Sequence, residues 1–364
     1  MSESLPPPDS REKLEEIVHS AGSSLDRRFD RWEVSLRWEG DRPLLEGETT
    51  SRPTWEACVA ALRREGREPI DRIRVLPEPG EEPGIVQSVV SVTHLRESPD
   101  HRSELLTQIV MGETMEEIDC SGGWVLGRVP DGYLGWVDEA TVVRPPDDIR
   151  RSWSNFPLLC VTSAEVAVRS LPKQDAPVLR DAVFDSRLLV RSRKGGWVQV
   201  EMPDGVIGWV PEKGGVLEQE KPRYPSREAV VAVAKRLLGA PYLWGGTSPK
   251  GFDCSGLVQR VFHHFGVFLP RDADLQWKAA EALPGPARKP GDLLFFGKEK
   301  ADHVAISVGG ADFIHASGWV RLESLNSRSP SYRGDLREKY LGVGRIGLLG
   351  APGPGDGEKE EWGE

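Results

Sequence analysis

The stretch YLWGGTSPKGFDCSGLVQRVF, residues 242–262, carries the reading on which the fold turns. Its second half has helical spacing: Leu257, Val258, Val261, Phe262 and, just beyond, Phe265 share one face, so a helix is expected from Cys254 to Phe265. Asp253 stands immediately before it and can cap the first turn. Cys254 therefore sits where unpaired N–H groups and the helix dipole favour a thiolate, which is the setting of a nucleophile. A free thiol titrates near ~8.5, and pairing with an imidazolium lowers it by ~1 to 5 units. The histidines decide whether that partner exists.

His19, His94 and His101 lie far upstream, and His263 and His264 are more than two turns along the same helix, out of reach of Cys254. Surface or packing roles suit these five. Downstream, DLLFF at 292–296, HVAISV at 303–308 and FIHA at 313–316 read as strands, with GVGRIG at 342–347 as a further one. His303 opens the second of these, and its same-face neighbours Ala305 and Ser307 are small enough to admit a helix end. If 308–312 forms a five-residue loop, Ser307 opposes Phe313, Ala305 opposes His315, and the two imidazoles become diagonal neighbours on one face. An even-length loop would put them on opposite faces. A helix over 227–238, capped by Ser226 and ended by Gly239, precedes all of this.

The 242–262 run is followed by LPRDADLQ from Leu269, GDLLFF from Gly291, DHVAISVG from Asp302 and IHAS from Ile314. In that order, across roughly 226–349, these segments resemble the NlpC/P60 family of cysteine peptidases. The resemblance implies a papain-like α+β catalytic domain that cleaves the γ-D-glutamyl bond to a diamino acid in cell-wall peptides. It also implies Cys254 as nucleophile, His303 as general base and acid, and His315 as the group that orients His303. The Cys254 N–H and the Tyr242 phenol are candidates to stabilise the oxyanion, the alternative for Tyr242 being a loop residue packed under Trp244. The chemistry needs no metal or other cofactor.

Upstream, GGWVLGRVPDGYLGWV at 122–137 returns as GGWVQVEMPDGVIGWV at 195–210, with ten of sixteen positions identical and Tyr133 exchanged for Val206. Each copy has short β-type runs and a Pro-Asp-Gly turn whose last two residues tolerate positive φ, so each reads as a small antiparallel barrel. The pattern resembles bacterial SH3-like domains, with Trp124, Trp136, Trp197 and Trp209 as framework residues. Residues 10–78 read as an α-β-β-α-β unit without a chemical motif. The expected layout is a multidomain α+β chain: this unit, SH3-like β-barrels over 85–147 and 155–218, a catalytic domain over 226–349, and a disordered tail over 350–364. The acidic PEPGEEPG at 77–84 and the prolines at 222–225 mark junctions.

Two SH3-like domains before an NlpC/P60 domain resemble the subgroup that trims free murein peptides beginning with L-Ala-γ-D-Glu, in which the first SH3-like domain narrows the cleft to a free N-terminus. By that likeness Tyr133 approaches the terminal amine, Glu104 and Asp253 pair with it, and Ser255, Arg271 and Asp272 line the pocket. Buried carboxylates would reject an acylated substrate, which leaves them uncompensated. Ala273 departs from the serine usual after the Arg-Asp pair, removing one hydroxyl from the pocket that takes the D-Glu carboxylate.

Composition narrows the partners. The 57 acidic and 47 basic residues give a net charge of −10 without a basic block, against nucleic acid or an anionic membrane surface and in favour of a small peptide. The N-terminus MSESLPPPDSREKLEE has no apolar core of a signal peptide, so a cytoplasmic location is expected. Cys58, Cys120 and Cys160 have no paired spacing and are expected as small buried residues rather than disulfides or zinc ligands. Three rivals stand beside the peptidase of free murein peptides. They are an exported hydrolase of polymeric wall, a catalytically silent wall-peptide binder, and a related amidase or acyl transfer enzyme. Oligomeric state is not legible in the sequence.

Overall fold

The computed structural model describes residues 8–78, 83–146, 153, 155–221, 225–284 and 288–347. Half of the acidic junction at 77–84, residues 222–224 of that at 222–225, and the tail over 350–364 lie outside them. The chain divides into two compact units, Met1–Ile85 with Met115–Trp136, and Val86–Thr114 with Val137–Glu364.

In the first unit the order is helix Pro8–Ser23, strands Trp32–Glu39 and Arg42–Thr49, helix Arg52–Arg64 and strand Ile70–Val75. This is the expected α-β-β-α-β sequence. The first two strands pair antiparallel, and the second helix crosses over so that the third strand joins parallel. Leu14 and Val18 from one helix and Cys58, Val59 and Leu62 from the other close over Leu45, against the inward row Trp32, Val34, Leu36 and Trp38. Residues 115–136 belong to this unit: Leu76 packs with Ile118, Leu126, Leu134 and Trp136, and Arg28 accepts the Leu134 N–H at 2.9 Å.

In the second unit the hairpin Val92–Arg96 and Leu105–Val110 comes from the first copy of the repeat. The second copy forms seven antiparallel strands, with Glu165–Arg169, Ile207–Pro211, Trp197–Glu201, Arg187–Lys194 and Leu158–Val161 between the outer strands Val178–Val183 and Gly215–Leu217. The sheets are open. The expectation of closed barrels is thereby corrected, since the two outer strands do not pair with each other. The Pro-Asp-Gly turns also differ in detail. Only the glycine takes positive φ, 94° at Gly132 and 81° at Gly205, because Pro and Asp occupy the centre of a type I turn closed by the glycine N–H.

The C-terminal domain has helices Arg227–Arg236, Cys254–His263, Ala273–Ala279 and Gly334–Glu338 on a six-stranded antiparallel sheet. Its strand order is Glu281–Leu283, Tyr340–Arg345, Leu293–Gly297, Ala301–Gly309, Asp312–Ser317, Trp319–Ser324. Val304, Ile306 and Ile314 face the helix carrying Leu257, Val258 and Val261. Ala305 faces the other way, into Leu294, Phe296, Phe313, Leu325 and Leu336. Of the small residues beside His303, Ala305 thus lines a second core instead of a helix approach. Among the described residues, no helix is long and apolar enough to cross a membrane.

Candidate active site

Asp253 ends an extended segment and accepts the Gly256 N–H at 2.7 Å, which starts the helix at Cys254 as expected. The backbone at Val304 and Ser255 favours the thiolate of Cys254. Since Val304 follows His303, the start of strand Ala301–Gly309 lies at the thiol. Burial nevertheless pushes the thiol up to about 12, with the Asp253 charge adding to it. His303 is pushed down to about 3, chiefly by burial and then by its neighbour His315. Desolvation thus opposes the helix dipole, and both shifts favour a thiol and a neutral imidazole.

The register that sets the two histidines side by side is present. Ile306 opposes Ile314 and Ser307 opposes Phe313, a ladder that carries Ala305 to His315. The connection is not a plain five-residue loop: Val308 is bulged out and Gly309 pairs with Asp312. One bulged residue added to a two-residue turn keeps the parity that the histidines need. His303 Nε2 lies 2.7 Å from His315 Nδ1, and His315 Nε2 lies 2.7 Å from Glu323 Oε2. Glu323 comes from strand Trp319–Ser324, where Phe313 opposes Glu323 and His315 opposes Arg321. Arg333 donates to the same Glu323 oxygen at 2.6 Å, and Arg321 pairs with the other at 3.1 Å. Burial alone would raise Glu323, but the bonds from His315 and Arg333 hold it below the usual carboxylate range.

Tyr242 is half-buried against the main core, its N–H bonded to Gly318 and its phenol pushed up to about 12 by burial and then by the charges of Cys254 and Asp253. It stays a neutral donor. Trp244 is 64% exposed.

The pocket residues gather at the same helix end. Both Asp253 oxygens accept from the Arg271 guanidinium, and Oδ2 also takes the Gly245 N–H at 2.9 Å. Arg271 further donates to Ser255 Oγ and to Thr107 Oγ1, each at 3.0 Å. Asp253 is thus already charge-matched, and Glu104 is the carboxylate at the rim, 2.7 Å from the indole nitrogen of Trp244. Gln108 accepts from the Thr247 N–H and the Ser248 hydroxyl. Gly245 has a φ of 77°, and a Cβ there would stand 2.2 Å from the Leu105 carbonyl, so only glycine lets the first copy's strand come this close. Asp272 is the N-cap position of helix Ala273–Ala279, and the Ala273 methyl joins the core. Tyr133 belongs to the first unit, where it is buried with its ring edge-on to Phe29 at 5.9 Å.

Sequence reasoning missed Glu323, Thr107 and Gln108. The first was marked only by a lone acid in the run WVRLES, and the other two by polar interruptions of the run LLTQIV. All four cysteines are free, and Cys120 is exposed rather than buried, since it ends a strand beside the Gly122–Gly123 turn. Among the described residues, two clusters have metal-ligand composition, Cys160–Asp185–His264 and Glu113–Asp185–His263. Their carboxylates are already matched by Arg260 and Arg187, and Lys221 lies 3.6 Å from the Cys160 sulfur, so cations of the protein occupy the space a metal would need.

Residues 239–336 match the NlpC/P60 family, and residues 95–142 and 168–214 match the bacterial dipeptidyl-peptidase Sh3 domain. The gamma-D-glutamyl-L-lysine dipeptidyl-peptidase of Bacillus cereus is 28% identical over 258 residues, 67% of this chain and 75% of that one. The protein of the same name from Bacillus subtilis is 30% identical over 223 residues, covering 58% and 71%. A solved NlpC/P60 family protein from Bacillus cereus shares the fold with a TM-score of 0.64 at 24% identity, covering 73% of this chain and 100% of that one. With Cys254 at a helix start, a histidine pair on adjoining strands and an SH3-type repeat ahead of them, the chain belongs to the NlpC/P60 family of cysteine peptidases.

Proposed function

We propose that this protein hydrolyses the γ-D-glutamyl–diamino acid bond of murein peptides that carry a free N-terminal L-Ala, and that it does so in the cytoplasm. The observation that carries the reading is the first copy's strand Leu105–Val110, seated on residues 245–248 with the Glu104 carboxylate at the rim. A carboxylate held there, beside a pocket whose Asp253–Arg271 pair is internally neutral, suits a substrate ammonium. Tyr133 is the second group assigned to that amine. The names of the relatives support the bond class, and four free thiols, one of them exposed, suit a reducing compartment.

Cys254 attacks the amide carbonyl while its proton passes to His303, because the resting pair is neutral. The tetrahedral oxyanion is met by the Cys254 N–H and the Tyr242 phenol, contacts of a kind worth ~3 to 4 kcal/mol each. His303 then protonates the leaving amine, and water, deprotonated by the same imidazole, hydrolyses the thioester. Purified protein should release L-Ala-γ-D-Glu from L-Ala-γ-D-Glu-diaminopimelate and leave the N-acetylated peptide intact, and Cys254→Ala should abolish turnover without loss of fold. Equal cleavage of both peptides would remove the amine reading. Efficient cleavage of polymeric wall, with the enzyme recovered outside the cytoplasm on fractionation, would establish the exported hydrolase instead.

A further inference from the structure

We propose that Glu323 is a positioning residue that fixes the protonation pattern of both histidines and so makes Nδ1 of His303 the base. The proposal rests on the reading of His303 as the base and adds which atom acts and what selects it. A carboxylate only accepts hydrogen bonds, so the 2.7 Å contact requires the proton on His315 Nε2. His315 is fully buried and, as a neutral ring, then has its lone pair on Nδ1. The 2.7 Å contact between the rings must therefore be filled by a proton on His303 Nε2. The remaining His303 nitrogen, Nδ1, keeps its lone pair and takes the proton of Cys254.

The surroundings hold the chain in one direction. Arg321 on the same strand pairs with one oxygen of Glu323, and Arg333, itself held by Asp335, donates to the other. With two guanidinium groups beside it, Glu323 stays ionised and cannot become the donor that would reverse the polarity. Arg333 and Lys339 also act on His303, with Asp335 opposing them, while Glu323 is the anion bonded to His315. When His303 gains its second proton, Nε2–H still donates to His315 and the new charge is balanced by a carboxylate one ring away.

The direct test is 15N–1H correlation of ring nitrogens in histidine-labelled full-length protein at neutral pH. Both His303 and His315 should be Nε2–H tautomers. A His315 carrying its proton on Nδ1, or on both nitrogens, would overturn the proposal without any variant having to fold. In Glu323→Ala and Glu323→Gln, the tautomer signal of His315 should become mixed. In Glu323→Ala, kcat should fall about 10- to 100-fold with KM within about threefold, less than the ~10⁴-fold seen when a carboxylate touching the base itself is lost. Unchanged kcat and unchanged His303 tautomer in folded Glu323→Ala would sink the idea. Activity retained by His303→Ala would instead remove the base assignment, whatever the ring pattern shows.

Discussion

Both copies of the repeat hold the helix Cys254–His263, but only the first is seen at its N-terminal end. There it offers Thr107 to Arg271, Gln108 to Thr247 and Ser248, and Glu104 to Trp244, and it also sends Glu113 to Arg260 near the other end. The second copy meets the C-terminal end of the helix through buried charge. Asp185 binds His263, His264 and Arg260 and is held well below the carboxylate range, because Arg187 and His263 outweigh the cost of its burial. The two turns are equivalent by the repeat. Asp185, at φ 70°, stands where the first copy has Gly112, at φ 89°, and is the one described non-glycine residue with positive φ. An aspartate in that conformation costs of the order of 1 kcal/mol, which its carboxylate contacts must offset. The first copy shapes the substrate end and shares with the second the task of securing the helix.

Removing the second grip should have the largest effect. Asp185→Ala strips a buried carboxylate from Arg260, Arg187 and two histidines, and should cost about 3–5 kcal/mol in denaturant unfolding. The kcat/KM of the folded fraction should change little. A loss of specificity without a loss of stability would exchange the roles assigned to the two copies. The same carboxylate carries a pH signature. Its pKa is depressed on folding, so its contribution is fully present above the unfolded value of ~3.9 and is lost as pH falls toward the folded value. The stability gap between wild type and Asp185→Asn should therefore be constant at neutral pH and shrink below about pH 4.

Tyr133→Val, which makes the first copy like the second at its one conspicuous difference, should have an intermediate effect. Loss of the ring against Phe29 should cost about 1–2 kcal/mol, while kcat/KM for the free-amine peptide falls at least about tenfold. Unfolding with an unchanged preference for free over acetylated peptide would make the tyrosine framework alone. The smallest effect belongs to the matching position in the second copy. Val206 is 38% exposed beside exposed Ile207, so Val206→Ser should stay within about 0.5 kcal/mol and leave kinetics unaltered.

Much of the site was legible because it depends on parity and spacing. The helix start at Asp253–Cys254 and the shared face of His303 and His315 follow from local rules, and a bulge at Val308 changed the loop without changing the parity. What stayed hidden lies far apart in sequence. Nothing local in RLES marks Glu323 as the third group of a chain, because Gly318 and Trp319 obscure the strand that presents it. Asp185 gave no signal either, since its partners come from a helix some 75 residues later, and Cys120 looked like a core residue until its strand was seen to end in solvent. The burial of the thiol was hidden for a related reason: it is a property of the assembled fold, whereas the helix dipole is visible in four residues.

Arg260 shows what this arrangement implies for anyone who would treat the chain as interchangeable parts. It is buried in the middle of the nucleophile helix and takes one carboxylate from each copy of the repeat, Glu113 from the first and Asp185 from the second. A catalytic domain cut loose near residue 226 would keep its cysteine and both histidines yet lose both of those counterions, leaving a desolvated cation three residues from the end of the helix that aims the thiol. Transplanting this peptidase therefore means carrying the turns at 112–113 and 185–186 along with it; by charge balance, the smallest portable piece begins well before the catalytic sequence does.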